Sequence, residues 1–255
     1  MKVRILGCGT SSGVPRIGND WGMCNPAEPR NRRMRVSILV SHEDTNILVD
    51  TGPDLREQLL AGDVHSIEAV IWTHDHADHC HGIDDLRQLY HVYQRPIEGF
   101  AREPTMVLLR RRFGYVFEGQ DGYPPIATGH LLPDEIEIGG IKVRAVDQPH
   151  GSITSAGLRF EAGGRSIGYS TDFSILTDDM AKLFEDIDVW IVDALRRRPH
   201  PTHPHLASTL KWIAEVKARR AILTHMDASM DYRTLLAELP PAVEPGYDGL
   251  EVELV

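Results

Sequence analysis

The feature that most constrains this chain is an Asp or a His placed directly after each of several short apolar runs. The runs are rich in β-branched residues and are therefore predicted to be buried β-strands. Five of them are followed by the polar segments Asp50-Thr51-Gly52, Thr73-His74-Asp75-His76-Ala77-Asp78-His79, Asp147-Gln148-Pro149-His150, Ser170-Thr171-Asp172 and Thr224-His225. Because loops at the ends of packed strands can gather side chains around one point, the pattern predicts a functional site there.

Nine apolar runs predict strands, and five helical patterns lie between them. The predicted strands are Lys2–Leu6, Val36–Val40, Asn46–Val49, Ala69–Trp72, Ile141–Val146, Ser166–Tyr169, Val189–Val192, Ala221–Leu223 and Glu251–Val255. The predicted helices are Asp54–Ala61, Asp84–Tyr90, Asp178–Phe184, Leu206–Ala218 and Tyr232–Leu239. Strands that first cluster and then alternate with helices indicate a mixed α and β fold in which helices cover the sheet faces.

No internal repeat, low-complexity block or Ser/Gly-rich linker interrupts the 255 residues. We therefore predict a single domain over residues 1–255. The segment 94–132 is rich in Pro, Gly and Arg, and we predict that it forms a lid or an insertion.

Charge and cysteine content narrow the class of protein. A formal net charge of -10 disfavours a protein that grips long nucleic acid, which usually shows a basic balance or stripe. The opening MKVRILGCGTSSGVP lacks the continuous apolar stretch of a signal peptide, and no later segment resembles a membrane span. Three cysteines are too few for a disulfide framework. We expect a cytoplasmic protein.

The run His74-x-His76-x-Asp78-His79 carries the sharpest chemical information. In an extended loop, residues two apart point the same way, so His74 and His76 can bind one ion, while a turn brings Asp78 and His79 toward a second. Imidazole and carboxylate ligands suit Zn²⁺ or Mn²⁺, and the lack of nearby paired cysteines argues against a closed structural zinc site. The alternative is a solvated, His-rich turn.

With Asp50, His150, Asp172 and His225 following their strands in order, the chain resembles the metallo-β-lactamase superfamily of metal-dependent hydrolases. The resemblance implies an α+β fold, an αββα four-layer sandwich of two packed mixed β-sheets flanked by helices. It also implies two divalent metal ions, Zn²⁺ or Mn²⁺. The implied roles are as follows: His74, His76 and His150 hold the first ion, Asp78, His79 and His225 hold the second, Asp172 bridges them, and Asp50 orients a ligand imidazole through a hydrogen bond.

Within that superfamily the chain is most similar to the phosphodiesterase branch that contains phosphoribosyl 1,2-cyclic phosphate phosphodiesterase and, further off, the tRNA 3′-processing endonucleases. The similarity rests on the opening Gly7–Pro15, on Asp172 where β-lactam-cleaving members often have a cysteine, and on the Pro-Thr-His203 loop. Members of this branch often bind an extra structural zinc through clustered cysteines. Cys24 is the only thiol in the corresponding loop, so we expect no such zinc here.

Three histidines in Arg-Pro-His-Pro-Thr-His-Pro-His-Leu, residues 198–206, lie outside the implied ligand set. Two metal ions can share a water and lower its pKa, so that a hydroxide attacks phosphorus while a free histidine protonates the leaving group. The related phosphodiesterases place a catalytic histidine in this loop, which makes His203 the candidate acid. His200 and His205 are the alternatives, and a Pro-stiffened surface loop is the third possibility.

Three short arginine runs could bind a non-reacting phosphate of the substrate. They are Arg30, Arg32 and Arg33, then Arg110–Arg112, and then Arg196–Arg198 beside the histidine loop. Guanidinium forks match phosphate oxygens, although such runs are more often solvated surface.

The sequence therefore predicts a metal-dependent phosphodiesterase acting on a small cyclic or nucleotide-like phosphodiester. We expect a small phosphate-ester substrate, no long nucleic acid and no membrane, and the chain could form a homodimer. A tRNA 3′-end endonuclease and a lactone or thioester hydrolase on the same metals are the enzymatic alternatives. A metal-holding, nucleotide-binding protein is the non-enzymatic one.

Overall fold

Fourteen β-strands pair into two seven-stranded sheets in the computed structural model, which describes residues 1–255. The strands are β1 Lys2–Gly7, β2 Ser37–His42, β3 Thr45–Val49, β4 Ala69–Trp72, β5 Ile97–Ala101, β6 Ala127–Leu131, β7 Glu135–Ile138, β8 Ile141–His150, β9 Ile153–Ala162, β10 Arg165–Ser170, β11 Val189–Asp193, β12 Arg220–Thr224, β13 Val243–Pro245 and β14 Glu251–Glu253. The helices are α1 Leu55–Ala61, α2 Ala77–Cys80, α3 Leu86–Tyr93, α4 Glu103–Arg112, α5 Gly114–Glu118, α6 Asp178–Phe184, α7 Leu206–Glu215 and α8 Tyr232–Glu238.

Both sheets follow the same plan, with an antiparallel half and a parallel half. The first sheet has the order β14-β1-β2-β3-β4-β5-β6, antiparallel from β14 to β3 and parallel from β3 to β6. The second has the order β13-β12-β11-β10-β9-β8-β7, antiparallel from β7 to β10 and parallel from β10 to β13. Helices fill the connections between the parallel strands, as parallel pairing requires.

Side-chain alternation along the strands builds the four layers. In β3, Ile47 and Val49 join the core cluster that also contains residues of the second sheet, such as Leu158. Leu48, between them, joins a second cluster with side chains of α1, α3, α4 and α5. A strand buried on both faces is expected to be apolar, and β3 is apolar over its buried part, Ile47–Val49. This arrangement confirms the predicted α+β fold, two mixed sheets packed together and flanked by helices.

The segment 94–132 is a structural part of the first sheet, so the prediction of a lid or an insertion was wrong. It contains β5, α4, α5 and β6, and the two strands extend the parallel half of the sheet beyond β4. The pattern was missed because each strand contains a glycine, which weakens an apolar strand signal. In β5, a Cβ on Gly99 would lie 2.6 Å from the ring of Trp72, so only a glycine leaves room for the indole.

The other predicted elements are present with shifted ends. All nine predicted strands occur, whereas β5, β6, β7, β9 and β13 were not anticipated. The helix predicted for Leu206–Ala218 ends at Glu215, because Lys217 adopts a left-handed conformation with φ of 56° that terminates it. The helices do not reach the length of a bilayer span: the longest, α4 and α7, have ten residues, and none could cross a membrane.

Replacing Gly99 with alanine should destabilise the fold, because the added methyl group would collide with the buried Trp72 ring. We expect a loss of about 1–3 kcal/mol in the free energy of unfolding, the usual cost of overpacking, measured by urea denaturation. Gly114→Ala is the matched control, since a Cβ there would meet nothing within 4 Å. Equal stabilities of the two variants would contradict the packing argument.

Candidate metal centre

Three of the site side chains leave their strands through an unusual backbone conformation. Asp50 and His225 directly follow β3 and β12, and Asp172 follows β10 after one residue, Thr171; their φ angles are 64°, 56° and 55°, respectively. Positive φ is uncommon for residues other than glycine and is found mostly where the surroundings enforce it, as at functional sites. The left-handed turn ends each strand and directs the side chain toward the same point between the two sheets.

One group of possible metal ligands contains His74, His76, His150 and Asp172. One donor atom from each lies within 4.8 Å of the others. His76 Nδ1 and His150 Nε2 are 3.4 Å apart, and the His74 and His76 rings meet edge to face. The first three are therefore brought together from the ends of β4 and β8, as the sequence predicted.

A second group contains Asp78, His79 and His225, again with ligand atoms within 4.8 Å of one another. Asp78 Oδ2 lies 3.3 Å from His79 Nε2 and 3.6 Å from His225 Nε2. Short helix α2 carries Asp78 and His79, so the turn that follows His76 separates the two groups along the chain.

Asp172 lies between the two groups, and each of its oxygens faces one of them. Its Oδ1 is 3.9 Å from His74 Nε2 and 3.6 Å from His150 Nε2. Its Oδ2 is 3.2 Å from His79 Nε2 and 3.4 Å from His225 Nε2. A carboxylate so placed can contribute one oxygen to each of two cations.

The donor atoms fit a metal. Nε2 of His74, His79 and His225 is buried in each case and has no hydrogen-bond partner. Buried polar atoms in native proteins are nearly always satisfied, and those that are not call for an explanation such as an ion. Neutral imidazole nitrogens and carboxylate oxygens are the donors preferred by Zn²⁺ and similar divalent metals.

In two of the ligand histidines, the nitrogen that faces away from this point is held by a hydrogen bond. Asp50 Oδ2 accepts a bond of 2.7 Å from His79 Nδ1, and the same carboxylate accepts two more from the amide and hydroxyl of Thr73. His150 Nδ1 lies 3.0 Å from the carbonyl oxygen of Thr202. Such bonds fix the tautomer and the ring orientation of a ligand histidine. Asp50 belongs to neither ligand group, and among the ligand histidines it bonds directly to His79.

Burial and charge together set the ionisation of the centre. Burial opposes protonation of His225, but Asp172 and Asp193 outweigh it and raise its pKa to about 9. Burial likewise opposes protonation of His79, and the surrounding carboxylates again prevail and raise its pKa. Burial opposes ionisation of Asp172, yet His225 and His79 hold its pKa well below the usual range. Asp172 is therefore held in its ionised form between the two groups of imidazoles.

The sequence analysis missed Asp193, the last residue of β11. This carboxylate is fully buried. Its Oδ2 accepts a hydrogen bond of 3.0 Å from the backbone amide of Asp172 and another of 2.9 Å from His203 Nδ1. It follows the predicted strand Val189–Val192 just as the other site residues follow theirs, so the same rule could have found it.

His203 lies at the edge of the centre. Its Nε2 is 3.7 Å from Asp172 Oδ1, its ring stacks on His225 with centroids 4.9 Å apart, and its side chain keeps 11% of its surface exposed. The two flanking histidines differ. His200 Nδ1 interacts with Thr202, and the His200 ring meets that of His203. His205 occupies the N-cap position of α7, and its side chain pairs with Ser208.

None of the predicted arginine runs lines a cavity that reaches the centre. Arg33 is buried and donates to the carbonyls of Asp227 and Met230, while Arg30 and Arg32 lie over aromatic rings. Arg112 pairs with Asp75, and Arg196 donates to carbonyls of its own loop. These side chains serve structure, and Arg112 supports the turn that carries His74 and His76.

Comparison with known proteins places this geometry in context. A family model described as “Beta-lactamase superfamily domain” matches residues 45–226, a range that contains every residue of the centre. The crystal structure of a diphosphatase from the PhnP family is 33% identical, with a TM-score of 0.90, covering 98% of this chain and 96% of that one.

Two further proteins are similar over nearly the whole chain. Human short-form tRNase Z has a TM-score of 0.73 at 19% identity, covering 99% of both chains, a likeness that concerns the fold alone. An octanoyltransferase of Porphyromonas gingivalis is 28% identical over 98% of this chain. The chain spans about half, 51%, of that protein's length.

Without metal, the protein should lose stability as the pH rises from about 6.5 to about 9. The pKa of His225 is raised in the folded state, so its contribution is complete below the ordinary value of 6.5 and disappears above about 9. The contribution of this one group is about 3 kcal/mol. Urea denaturation of the chelator-treated protein across this range measures it.

His225→Gln should flatten this pH dependence, and His65→Gln, which changes an exposed imidazole, should leave it as in the wild type. If the wild-type protein and His225→Gln lose stability in parallel, His225 does not carry the raised pKa.

Proposed function

Because the chain belongs to the beta-lactamase superfamily, we propose that it hydrolyses a small phosphodiester with the help of two divalent metal ions. The observation that carries the proposal is the combination of two ligand groups joined by Asp172 with a further imidazole beside them, His203, which is anchored by Asp193 and lies close to Asp172 and His225.

The two ligand groups assign the residues that would hold the ions. His74, His76 and His150 would bind one, Asp78, His79 and His225 the other, and Asp172 would contribute an oxygen to each. Zn²⁺ or Mn²⁺ suits these donors. When bound, such a pair supplies a water of lowered pKa and stabilises negative charge on a phosphoryl oxygen.

His203 is the residue that separates phosphodiester hydrolysis from other reactions of such a centre. An alkoxide leaving group must be protonated as it departs, and Nε2 of His203 faces the centre at its partly exposed edge. Nδ1 is bonded to Asp193, which holds the ring so that Nε2 is directed toward the substrate. General acid catalysis of this kind typically contributes ~10²–10⁴ in rate.

The PhnP-family diphosphatase, 33% identical to this chain, supports a phosphate ester as the substrate class. The octanoyltransferase relative, of which this chain spans 51%, is named for the transfer of an acyl group, and on that ground a thioester hydrolase is the second candidate. Thiolate leaving groups need no protonation, so that reaction would not depend on His203. The acidic net charge of -10 disfavours the tRNA endonuclease alternative, since tRNA binding relies on basic contacts. We propose a small, phosphate-bearing substrate and a cytoplasmic location.

Purified wild-type protein should carry close to two equivalents of Zn or Mn, measured by elemental analysis. Asp78→Ala should lower the content toward one equivalent, because Asp78 belongs to the second ligand group only. Asp75→Ala is the control, as the neighbouring carboxylate pairs with Arg112 and lies in neither group. A folded wild-type protein that binds no metal under metal-replete conditions would refute the proposal.

His203→Ala should retain its metal and should slow cleavage of alkyl or cyclic phosphodiesters by ~10²–10⁴. Cleavage of bis(p-nitrophenyl) phosphate should fall much less, because nitrophenolate leaves without a proton. The control is His205→Ala, in the same loop but turned toward Ser208. Equal losses on both ester types would show that His203 is not the acid.

A further inference from the structure

The loop that carries His203 contacts the metal centre at two consecutive residues, and the proposal above uses only one of them. We call residues 196–205 the acid loop. The amide of Leu195 donates to the carbonyl of Pro204 at 3.2 Å, which closes the base of the loop. Three of its ten residues are prolines, whose φ angles are fixed. A closed and stiffened loop has little freedom of its own, so the contacts near its tip determine where His203 lies.

Thr202, the residue before His203, holds a ligand of the first group. Its carbonyl oxygen lies 3.0 Å from Nδ1 of His150. A histidine that binds a metal through Nε2 carries its proton on Nδ1, so this nitrogen donates and the carbonyl accepts. His150 Nε2 lies 3.6 Å from Asp172 Oδ1, on the side of the ligand group. The carbonyl carbon of Thr202 is bonded to the backbone nitrogen of His203, so one peptide unit joins the ligand to the candidate acid.

Gly151, in the turn between β8 and β9, leaves room for the side chain of Thr202. It directly follows His150 and has a φ of 58°. A Cβ at this position would lie 3.0 Å from Cγ2 of Thr202, tighter than an ordinary van der Waals contact, and 3.9 Å from its Cβ. The methyl group of Thr202 therefore packs against the bare backbone of the turn. Any residue larger than glycine would push Thr202, and the acid loop with it, away from His150.

The other side of Thr202 is held within the acid loop. Its amide donates to Nδ1 of His200 at 3.3 Å. Burial and the neighbouring His203 lower the pKa of His200, which keeps that ring neutral and able to accept. The rings of His200 and His203 meet with their centroids 5.1 Å apart. Because Thr202 contacts the loop on this side and the ligand on the other, a displacement of Thr202 is passed on to His203.

We propose that Thr202 is a positioning residue that couples the placement of His203 to the metal ligand His150. The coupling requires a glycine directly after that ligand, which is Gly151. The inference rests on the proposed function, in which His203 protonates the leaving group. Asp193 fixes the direction of the His203 ring, and Thr202 fixes its distance from the first ligand group. Thr202 acts through these neighbours and takes no part in bond cleavage.

Gly151→Ala should displace the acid loop without removing any group of the centre. In metal-loaded protein we expect kcat for an alkyl phosphodiester to fall about tenfold to a hundredfold, since a displacement of about 1 Å can cost this much. The kcat for bis(p-nitrophenyl) phosphate should fall much less, because nitrophenolate leaves without a proton. Thr202→Ser removes the methyl group that would collide. The double variant, Gly151→Ala with Thr202→Ser, should therefore regain most of the lost rate.

Gly163→Ala is the matched control. Gly163 lies in the turn between β9 and β10 with the same φ of 58°, and a Cβ there would approach only His42, at 3.7 Å. Its backbone strain is comparable, but it does not touch the acid loop, so the ratio of the two rates should stay at the wild-type value. Urea denaturation shows whether each variant is folded. If the alanine variant is unfolded, Gly151→Asn keeps the collision with a side chain that tolerates a left-handed backbone.

Two kinetic outcomes would overturn the proposal while leaving the proposed phosphodiesterase function in place. One is a loss of equal size on both esters in Gly151→Ala. The other is a double variant that recovers none of the rate on the alkyl ester.

Nuclear magnetic resonance tests the coupling without turnover. In metal-loaded protein labelled with nitrogen-15 in its histidines, the Nδ1–H signal of His203 reports the bond to Asp193 and is identified by its absence in His203→Ala. Gly151→Ala should shift this signal, the double variant should restore it, and Gly163→Ala should leave it in place. If the wild type cleaves no phosphodiester, the proposed function fails and this pattern still decides the coupling. A signal that Gly151→Ala leaves unshifted would overturn it.

Discussion

The position of Asp172 between two groups of buried imidazoles is the contact on which the rest of the centre depends. One carboxylate faces both groups, and its backbone amide is tied to Asp193, which also holds His203. Moving this residue would therefore disturb both ligand groups and the candidate acid together. The left-handed backbone of Asp172 and the burial of its charge both cost folding free energy. Nearby positive charge, from the imidazoles or from bound cations, offsets that cost.

The centre was predictable from the sequence to the extent that it depends on strand ends. A buried strand is recognised from its apolar residues, and the polar residue that follows it must lie at the sheet edge, so Asp50, His150 and His225 could be placed without a structure. The family match and the observed sheets confirm the resemblance and the fold that this pattern implied. The ligand assignment itself stays a prediction, now with a geometry that accommodates it.

The features of the centre that could not be predicted from the sequence depend on which strands are neighbours in the sheets. Asp193 obeys the strand-end rule, but its role follows from the position of β11 between β10 and β12, which brings it beside both Asp172 and His225. Nothing in chain order reveals that position. The arginines show the same limit. The sequence predicted a phosphate contact for the run that contains Arg33, but the Arg33 guanidinium is buried against loop carbonyls. Arg35, two residues later, instead lines the cavity beside Asp78. Spacing along the chain says which side chains are close in sequence, and tertiary contacts decide which are free.

The two sheets contribute different residues to the centre that lies between them. The second sheet and its loops provide Asp172, Asp193 and His203, and so would determine how the leaving group is protonated. Segments that follow the first sheet provide His74, His76, Asp78 and His79, and so would hold most of the metal ligands. The two sets meet at His225, which lies 3.6 Å from Asp78, 3.4 Å from Asp172 and stacks on His203, so a change in one set would be felt by the other. The ion pairs of Arg16 and Arg35, with Asp20 and Asp54, involve none of these residues, so the loop between β1 and β2 can vary in sequence while the centre is kept.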